Sequence, residues 1–330
     1  MIIPIVGPSA LEFWLSGVAR IDADHLSAQN RKLISLPENY ETSCLHDDLC
    51  SLAEKYGLSL PLHVMVNKPN SRRHGRYCRT YLRPKKLPGD SFIPLSDSVY
   101  ISSPELCFLQ VTQVFPLSKL IEIANDLCAL YLLDKTALMG QIARIPLVQA
   151  NDIKEYLCRV KDFPGVKLAR QAISYALDCS GSPMESKLSA VAMPPLSQGG
   201  YALLRPKLNL DISLTDEAAS FLGRDTCCCD LVWEDQKVVV EYDSNLTHLS
   251  QNQHAYDKRK ATALSMSGYR GFYITAANLR SFQDIEITFR NLRKILGQRA
   301  YNDIFKKYES RRREAVRKIM YESWEEYLKN

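Results

Sequence analysis

Asp230-Leu-Val-Trp-Glu-Asp-Gln-Lys-Val-Val-Val-Glu-Tyr-Asp243 holds two apolar strand-like runs folded back on each other, with carboxylates at Asp230, Glu241 and Asp243. A symmetric turn about Asp235-Gln236 sets Trp233 opposite Val238, Val232 opposite Val239 and Asp230 opposite Glu241. Residues opposed in this way stand roughly 4.5–5.5 Å apart at Cβ, where like charges repel. Alternation places Asp243 on the face of Glu241 and sends Leu231, Trp233, Val238, Val240 and Tyr242 to the other side. A hard divalent cation held by carboxylate oxygens, Mg2+ or a similar ion, is the simplest relief of that repulsion. A solvated hairpin would also tolerate the acids, but Val238-Val-Val240 reads as a buried strand rather than an exposed edge.

Working outward, Ser182-Pro183-Met184-Glu185 has the form of a capping box opening a helix, with Leu188 and Val191 on its apolar face. Capping is therefore one reading of Glu185. A strand is expected around Leu203 to Ile212, ahead of the hairpin. After it, His248 precedes Ser250, which can cap a helix running to about Gly268 with Asp257, Lys260, Ala261 and Leu264 on neighbouring turns. Arg270-Gly-Phe-Tyr-Ile-Thr275 reads as a further strand and Asp284 to Leu296 as a further helix.

In that order, Glu185, Asp230 and Glu241-Tyr-Asp243 resemble the PD-(D/E)XK nuclease superfamily, in its very-short-patch-repair-endonuclease-like branch. The resemblance spans about residues 182–298 and includes Ser182, His248, Asp257, Leu264 and Gly268 at matching intervals. Ser244 stands where that branch has glycine, and Lys260 where it has arginine, which keeps the charge but loses the planar fork. The superfamily's lysine two residues after the glutamate is replaced by Asp243, as in the branch.

The resemblance implies an α/β fold with a C-terminal restriction-endonuclease-like αβββαβ core, a mixed sheet flanked by helices, preceded by a smaller α/β domain. It implies a metal-dependent endonuclease hydrolysing phosphodiester bonds in DNA, with RNA left open, and a setting in phage defence or mobile-element maintenance. Mg2+ or Mn2+ would be held by Asp230 and Glu241, with Glu185 as direct or water-mediated ligand and Asp243 extending the set. His248 fits a general base, a phosphate contact or a helix-entry histidine. Lys260 joins the catalytic set. Lys258 and Arg259 read as a phosphate clamp or as a solvated helix face, and Asp257 could pair with Lys260. The competing class is a catalytically inactive DNA-binding regulator or antitoxin-like module.

The 330 residues suit two domains, each able to bury a core, and the net charge of +5 is mild. The ten cysteines are scattered without a C-x-x-C pair, as expected of free thiols in a reducing cytoplasm. Cys227-Cys228-Cys229 alternate across a strand and so read as packing residues rather than zinc ligands, and Cys44, His46 and Cys50 form an equally weak ligand set. No signal peptide or membrane span is expected.

In the first half, Pro4 to Pro8 reads as strand entry before a helix capped by Ser9. Pro61 to Val66 and Tyr77 to Leu82 read as partner strands around a loop. From Lys68 to Lys86 there are eight Lys and Arg and no acid, and Arg72, Arg73, Arg76, Arg79 and Arg83 interleave with Tyr77 and Tyr81. That composition suits phosphates and a stacked base or sugar. The stretch from Asp97 to Gln110, read as a strand and a turn capped at Ser103-Pro-Glu105, then the mostly apolar, helix-like run Leu117 to Leu133, is loosely similar to type IV abortive-infection antitoxin-like proteins.

Phe163-Pro164-Gly165 marks the expected boundary, with the helix-like stretch Val166 to Leu177 bridging the two domains, giving an N-terminal α/β domain at 1–164 that targets or supports, a nuclease-like domain at 165–298, and a basic amphipathic helix at 299–330. That helix carries Ile304, Phe305, Val316, Ile319 and Trp324 on one face and Arg311-Arg312-Arg313 on the other. Docking on the core covers its apolar residues best; pairing with a second copy or a partner protein, or gripping a nucleic-acid backbone, are the alternatives.

Overall fold

In the computed structural model, which describes residues 1–16, 26, 31–42, 46–134, 136–137, 140–243, 251–299 and 302–328, apolar strands and capped helices build an α/β protein with mixed sheets flanked by helices. The chain divides into one unit of residues 1–176 with 323–330 and another of residues 177–322. Val166 to Leu177, expected to bridge two domains, thus lies almost wholly in the first unit. Among the described residues no helix is long and apolar enough to cross a membrane.

The first unit opens with β1 (Ile3–Ile5) and α1 (Gly7–Leu15), followed by α2 (His46–Tyr56). Ser9 does not cap α1. Its Oγ accepts the backbone N–H of His63 at 3.0 Å, and the helix starts two residues earlier at Gly7, whose φ of 53° favours glycine. Then come β2 (Leu62–Val66), β3 (Cys78–Leu82), β4 (Phe92–Pro94) and β5 (Val99–Ser102), in a sheet ordered β3-β2-β1-β5-β4. β2 and β3 are partners as expected, and they run parallel. Ser103 caps α3 (Pro104–Val111) by accepting the Leu106 N–H at 3.3 Å, and α4 (Leu117–Leu127) follows. The apolar run expected as one helix to Leu133 breaks, because its last residues form β6 (Tyr131–Leu133) paired with β7 (Gln141–Ala143). α5 (Ala150–Arg159) and α6 (Val166–Ile173) complete this part.

The second unit starts with α7 (Pro183–Ala192) and β8 (Lys207–Ser213), the latter beginning later than expected. A short helix, α8 (Asp216–Leu222), capped by Thr215, precedes β9 (Thr226–Trp233) and β10 (Val238–Asp243). α9 (Gln251–Met266), β11 (Arg270–Thr275) and α10 (Phe282–Ile295) follow, and the sheet order is β11-β10-β9-β8. The hairpin has the expected register for Trp233 with Val238, Val232 with Val239 and Leu231 with Val240, but the ladder ends there, before the expected Asp230–Glu241 pair, while β10 and β11 run parallel. Val232, Val239, Cys227, Cys229 and Ile212 pack on Ala263 and Leu264 of α9.

The C-terminal stretch forms α11 (Asn302–Lys307), α12 (Glu309–Val316) and a wide turn over Arg317–Tyr321, while α13 (Trp324–Leu328) groups with the first unit. Arg312 departs from the expected exposed basic face, being 1% exposed. Its guanidinium grips Glu286 of α10 through Nε at 3.1 Å and Nη2 at 2.9 Å, and Nη2 also donates to the Phe305 carbonyl at 2.8 Å. Tyr201 donates to the same carboxylate at 2.9 Å and stacks on Phe289. Truncating one partner of such a pair leaves a buried charge uncompensated. Arg312→Ala should therefore lower the stability of the second unit by about 3–5 kcal/mol, read from urea unfolding, whereas Arg311→Ala, on the neighbouring residue, should cost far less.

Candidate active site

The N-terminus of α7 places Glu185. Ser182 caps the helix, its Oγ accepting the Glu185 N–H at 3.3 Å, and Pro183 fits the first turn, where its missing N–H costs nothing. The Glu185 carboxylate reaches back to the Gly181 N–H at 2.8 Å, one residue before the cap, rather than to the Ser182 N–H that the expected capping box requires. The same oxygen, Oε2, accepts Nδ2 of Asn209 at 2.5 Å. Asn209 spends its other amide hydrogen on the Cys179 carbonyl at 2.9 Å.

Asn209 occupies β8 in a left-handed conformation, φ 46°, which asparagine tolerates better than most residues. The β8–β9 ladder pairs Leu208 with Leu231 and Leu210 with Cys229 and skips the step between, where Asn209 faces Asp230. The facing of β9 changes across that step. Cys227 and Cys229 share the α9-side core with Val232, although strict alternation would put Val232 on the opposite face. Gly181 accommodates this arrangement, because a Cβ there would lie 2.9 Å from the Asn209 Oδ1.

Beyond Leu231–Val240 the side chain of Asp230 continues the hairpin, its Oδ2 accepting the Tyr242 N–H at 2.7 Å. Glu241 lies on the α9 face, where Lys260 places Nζ 2.8 Å from Oε1, each side chain being 16% exposed. Burial, then the Asp230 charge, pushes the Glu185 carboxyl up to about 7. Burial also raises Asp230, and burial with the Asp230 charge raises Glu241. Burial opposes the charge on Lys260, yet Glu241 outweighs it and holds the ammonium above the usual amine range.

The structure thus gathers Glu185, Asp230, Glu241 and Lys260. Asp243 is exposed at the end of β10. His248 lies outside the described residues, as do Ser244 and Ser250. Lys258 and Arg259 occupy the exposed side of α9, and Arg259 donates to the Phe221 carbonyl and stacks over its ring at 5.2 Å. In the first unit Arg72, Arg73, Arg76 and Arg79 are exposed, with Arg76 over the Tyr77 ring. Arg83 is half-buried and donates to the Leu36 and Pro37 carbonyls, a structural use. Cys227 and Cys229 are buried and Cys228 is exposed; Cys44 lies outside the described residues, and His46 contacts Asp47 and Cys50.

For a divalent ion, the donor chemistry fits: Glu185, Asp230 and Glu241 offer carboxylate oxygens whose pKa values burial raises, with the Asp230 charge adding to the shift at Glu185 and Glu241. Among the described residues, no group of three or more His, Cys, Asp or Glu stands in metal-holding geometry. The Asp230 charge acts on both Glu185 and Glu241. Asn209, Gly181 and Tyr273, the residue paired with Glu241 on β11, escaped sequence reasoning. Leu208-Asn-Leu210 reads as plain alternation, and only the register against Asp230 reveals the asparagine's position. Comparison with protein-family models, with curated proteins and with solved structures finds no match for this chain.

The raised carboxyl has a definite sign in stability. With its folded pKa at about 7 above the ordinary 4.5, Glu185 binds more proton in the folded than in the unfolded chain between those values. Stability of the second unit should fall as pH rises through that window, by up to about 3 kcal/mol, and level off above it. Urea unfolding at pH 5 and pH 8 checks this, and Glu185→Gln should flatten the slope.

Proposed function

We propose that the chain is a metal-dependent endonuclease acting on DNA, and that α7, β8, β9, β10, α9 and β11 form a restriction-endonuclease-like αβββαβ core with α8 inserted. The observation that carries this reading is the buried Asp230 carboxylate acting on two others, Glu185 on one side and Glu241, paired with Lys260, on the other. Asp230 and Glu241 would hold Mg2+ or Mn2+, with Glu185 behind them and Asp243 at the rim. When bound, such an ion acidifies a water and neutralises charge on the scissile phosphate. Asn209 holds the Glu185 carboxylate in place. Lys260, an ammonium at the site, suits contact with a phosphate oxygen rather than proton abstraction. His248 and the exposed Arg72, Arg73, Arg76 and Arg79 supply further candidate contacts to the nucleic acid, as does Lys258.

A second reading draws on the Lys260–Glu241 pair itself. A lysine that already compensates the central glutamate allows a non-catalytic nucleic-acid-binding module, with the nuclease-like core serving as scaffold.

Incubating the purified chain with duplex, mismatched and single-stranded DNA and with RNA, in Mg2+ or Mn2+, separates the two. The nuclease reading expects cutting of at least one substrate, and Glu241→Gln and Glu241→Ala should reduce it to background with the melting transition retained. Mg2+ or Mn2+ should also raise the melting temperature of the wild type at pH 8 but not that of Glu241→Gln. Binding without cutting across the panel would favour the scaffold, and undiminished cutting by Glu241→Gln would overturn the site assignment.

A further inference from the structure

Gly271 is the second residue of β11, an edge strand, and no backbone demand explains it, since its φ lies outside the left-handed region. Glycine inside a strand weakens it and commonly marks a close approach. Here the approaching group is two residues along the same strand. A Cβ at position 271 would lie 2.8 Å from the Tyr273 hydroxyl, 2.9 Å from Cε2 and 3.1 Å from Cζ. The phenol ring is therefore laid back along β11, covering Gly271.

The parallel ladder pairs Glu241 with Tyr273 and Val239 with Gly271, so the ring lies on the sheet face that carries Glu241 and, across it, Lys260. Tyr273 nonetheless stays 47% exposed. Its ring borders the carboxylate cluster, uncharged where the neighbouring acids repel a phosphate. A flat, exposed π-face in such a place suits a nucleobase, because every base offers a π-face of its own.

We propose that Tyr273, laid over Gly271, is a stacking subsite for an unstacked nucleobase next to the bond the site acts on. The proposal rests on the nuclease reading above and deepens it: the substrate would be single-stranded, or opened locally by a mismatch or a flipped base. Tyr273 binds and positions the substrate, and takes no part in bond cleavage.

The test uses the full chain and a single-stranded oligonucleotide carrying 2-aminopurine, with steady-state cleavage in Mg2+ or Mn2+ and equilibrium binding on a Glu241→Gln background. Tyr273→Ala, Tyr273→Leu and Gly271→Val, the last of which displaces the ring, should each weaken binding and raise KM by about five- to a hundredfold. They should leave kcat within a few-fold and abolish quenching of 2-aminopurine. Tyr273→Phe keeps the ring and should restore wild-type binding to within about twofold. Melting curves report whether each variant folds, and Tyr273→Leu stands in if Gly271→Val does not. Unchanged KM and quenching in Tyr273→Ala and Tyr273→Leu, or a loss in Tyr273→Phe as large as in Tyr273→Ala, would overturn the stacking subsite while Glu241-dependent cleavage left the nuclease reading standing. Neither cutting nor binding of any nucleic acid by the wild type would remove both.

Discussion

A carboxylate on a strand packed against a helix must be compensated, and Lys260 compensates Glu241 at 2.8 Å. Much of the second unit's site is arranged around that contact. α9 has to cross the sheet so that Lys260 meets β10 while Ala263 and Leu264, one turn further on, pack on Val232 and Val239. Apolar packing and the ion pair thus set the same rotation of the helix. Burial nonetheless raises the pKa of Glu185, Asp230 and Glu241, and the Asp230 charge adds to the shift at Glu185 and Glu241.

Hydrogen bonds from backbone and amide groups supply a second layer of compensation. Asp230 accepts the Tyr242 N–H, and Glu185 accepts the Gly181 N–H and the Asn209 amide. Both lower the cost of the buried charges without adding any positive charge. Asn209 does so from a left-handed backbone at a step where the β8–β9 ladder is interrupted. The irregular strand and the second carboxylate are therefore parts of one feature, since the kink carries the amide to Glu185.

Elements with strong local chemistry were legible in the chain. The hairpin register followed from two apolar runs about Asp235-Gln236, and the caps at Ser182 and Ser103 followed from their Ser-Pro-x-Glu and Ser-Pro-Glu forms. Where tertiary partners compete, local reading failed. Ser9 looks like a cap but bonds to His63, and Arg312 looks exposed but is enclosed by Glu286 and two aromatic rings. Leu117 to Leu133 is mostly apolar, with no break before its end, so the strand at Tyr131 shows only through its pairing with β7. The site was legible as acids and a lysine at intervals. Asn209 and Tyr273 were not, because each acts through a backbone irregularity or a glycine clearance that residue spacing does not encode.

Energetics bear on whether such a cluster is scaffold or site. Replacing a buried charged group by apolar residues of similar size is often neutral or stabilising, so a fold that needed only rigidity would gain from losing these acids. Each carboxyl raised by burial instead draws on stability near neutral pH, where its ionised form is the one the folded chain disfavours. The compensation is also unevenly distributed. Backbone and amide donors hold Asp230 and Glu185 in fixed orientations, while Glu241 faces a flexible lysine that can swing away from it. An arrangement with two fixed carboxylates and one whose partner can leave is poorly suited to pure support. Under the nuclease reading proposed above, a cation received at Glu241 would release the Lys260 ammonium to a phosphate.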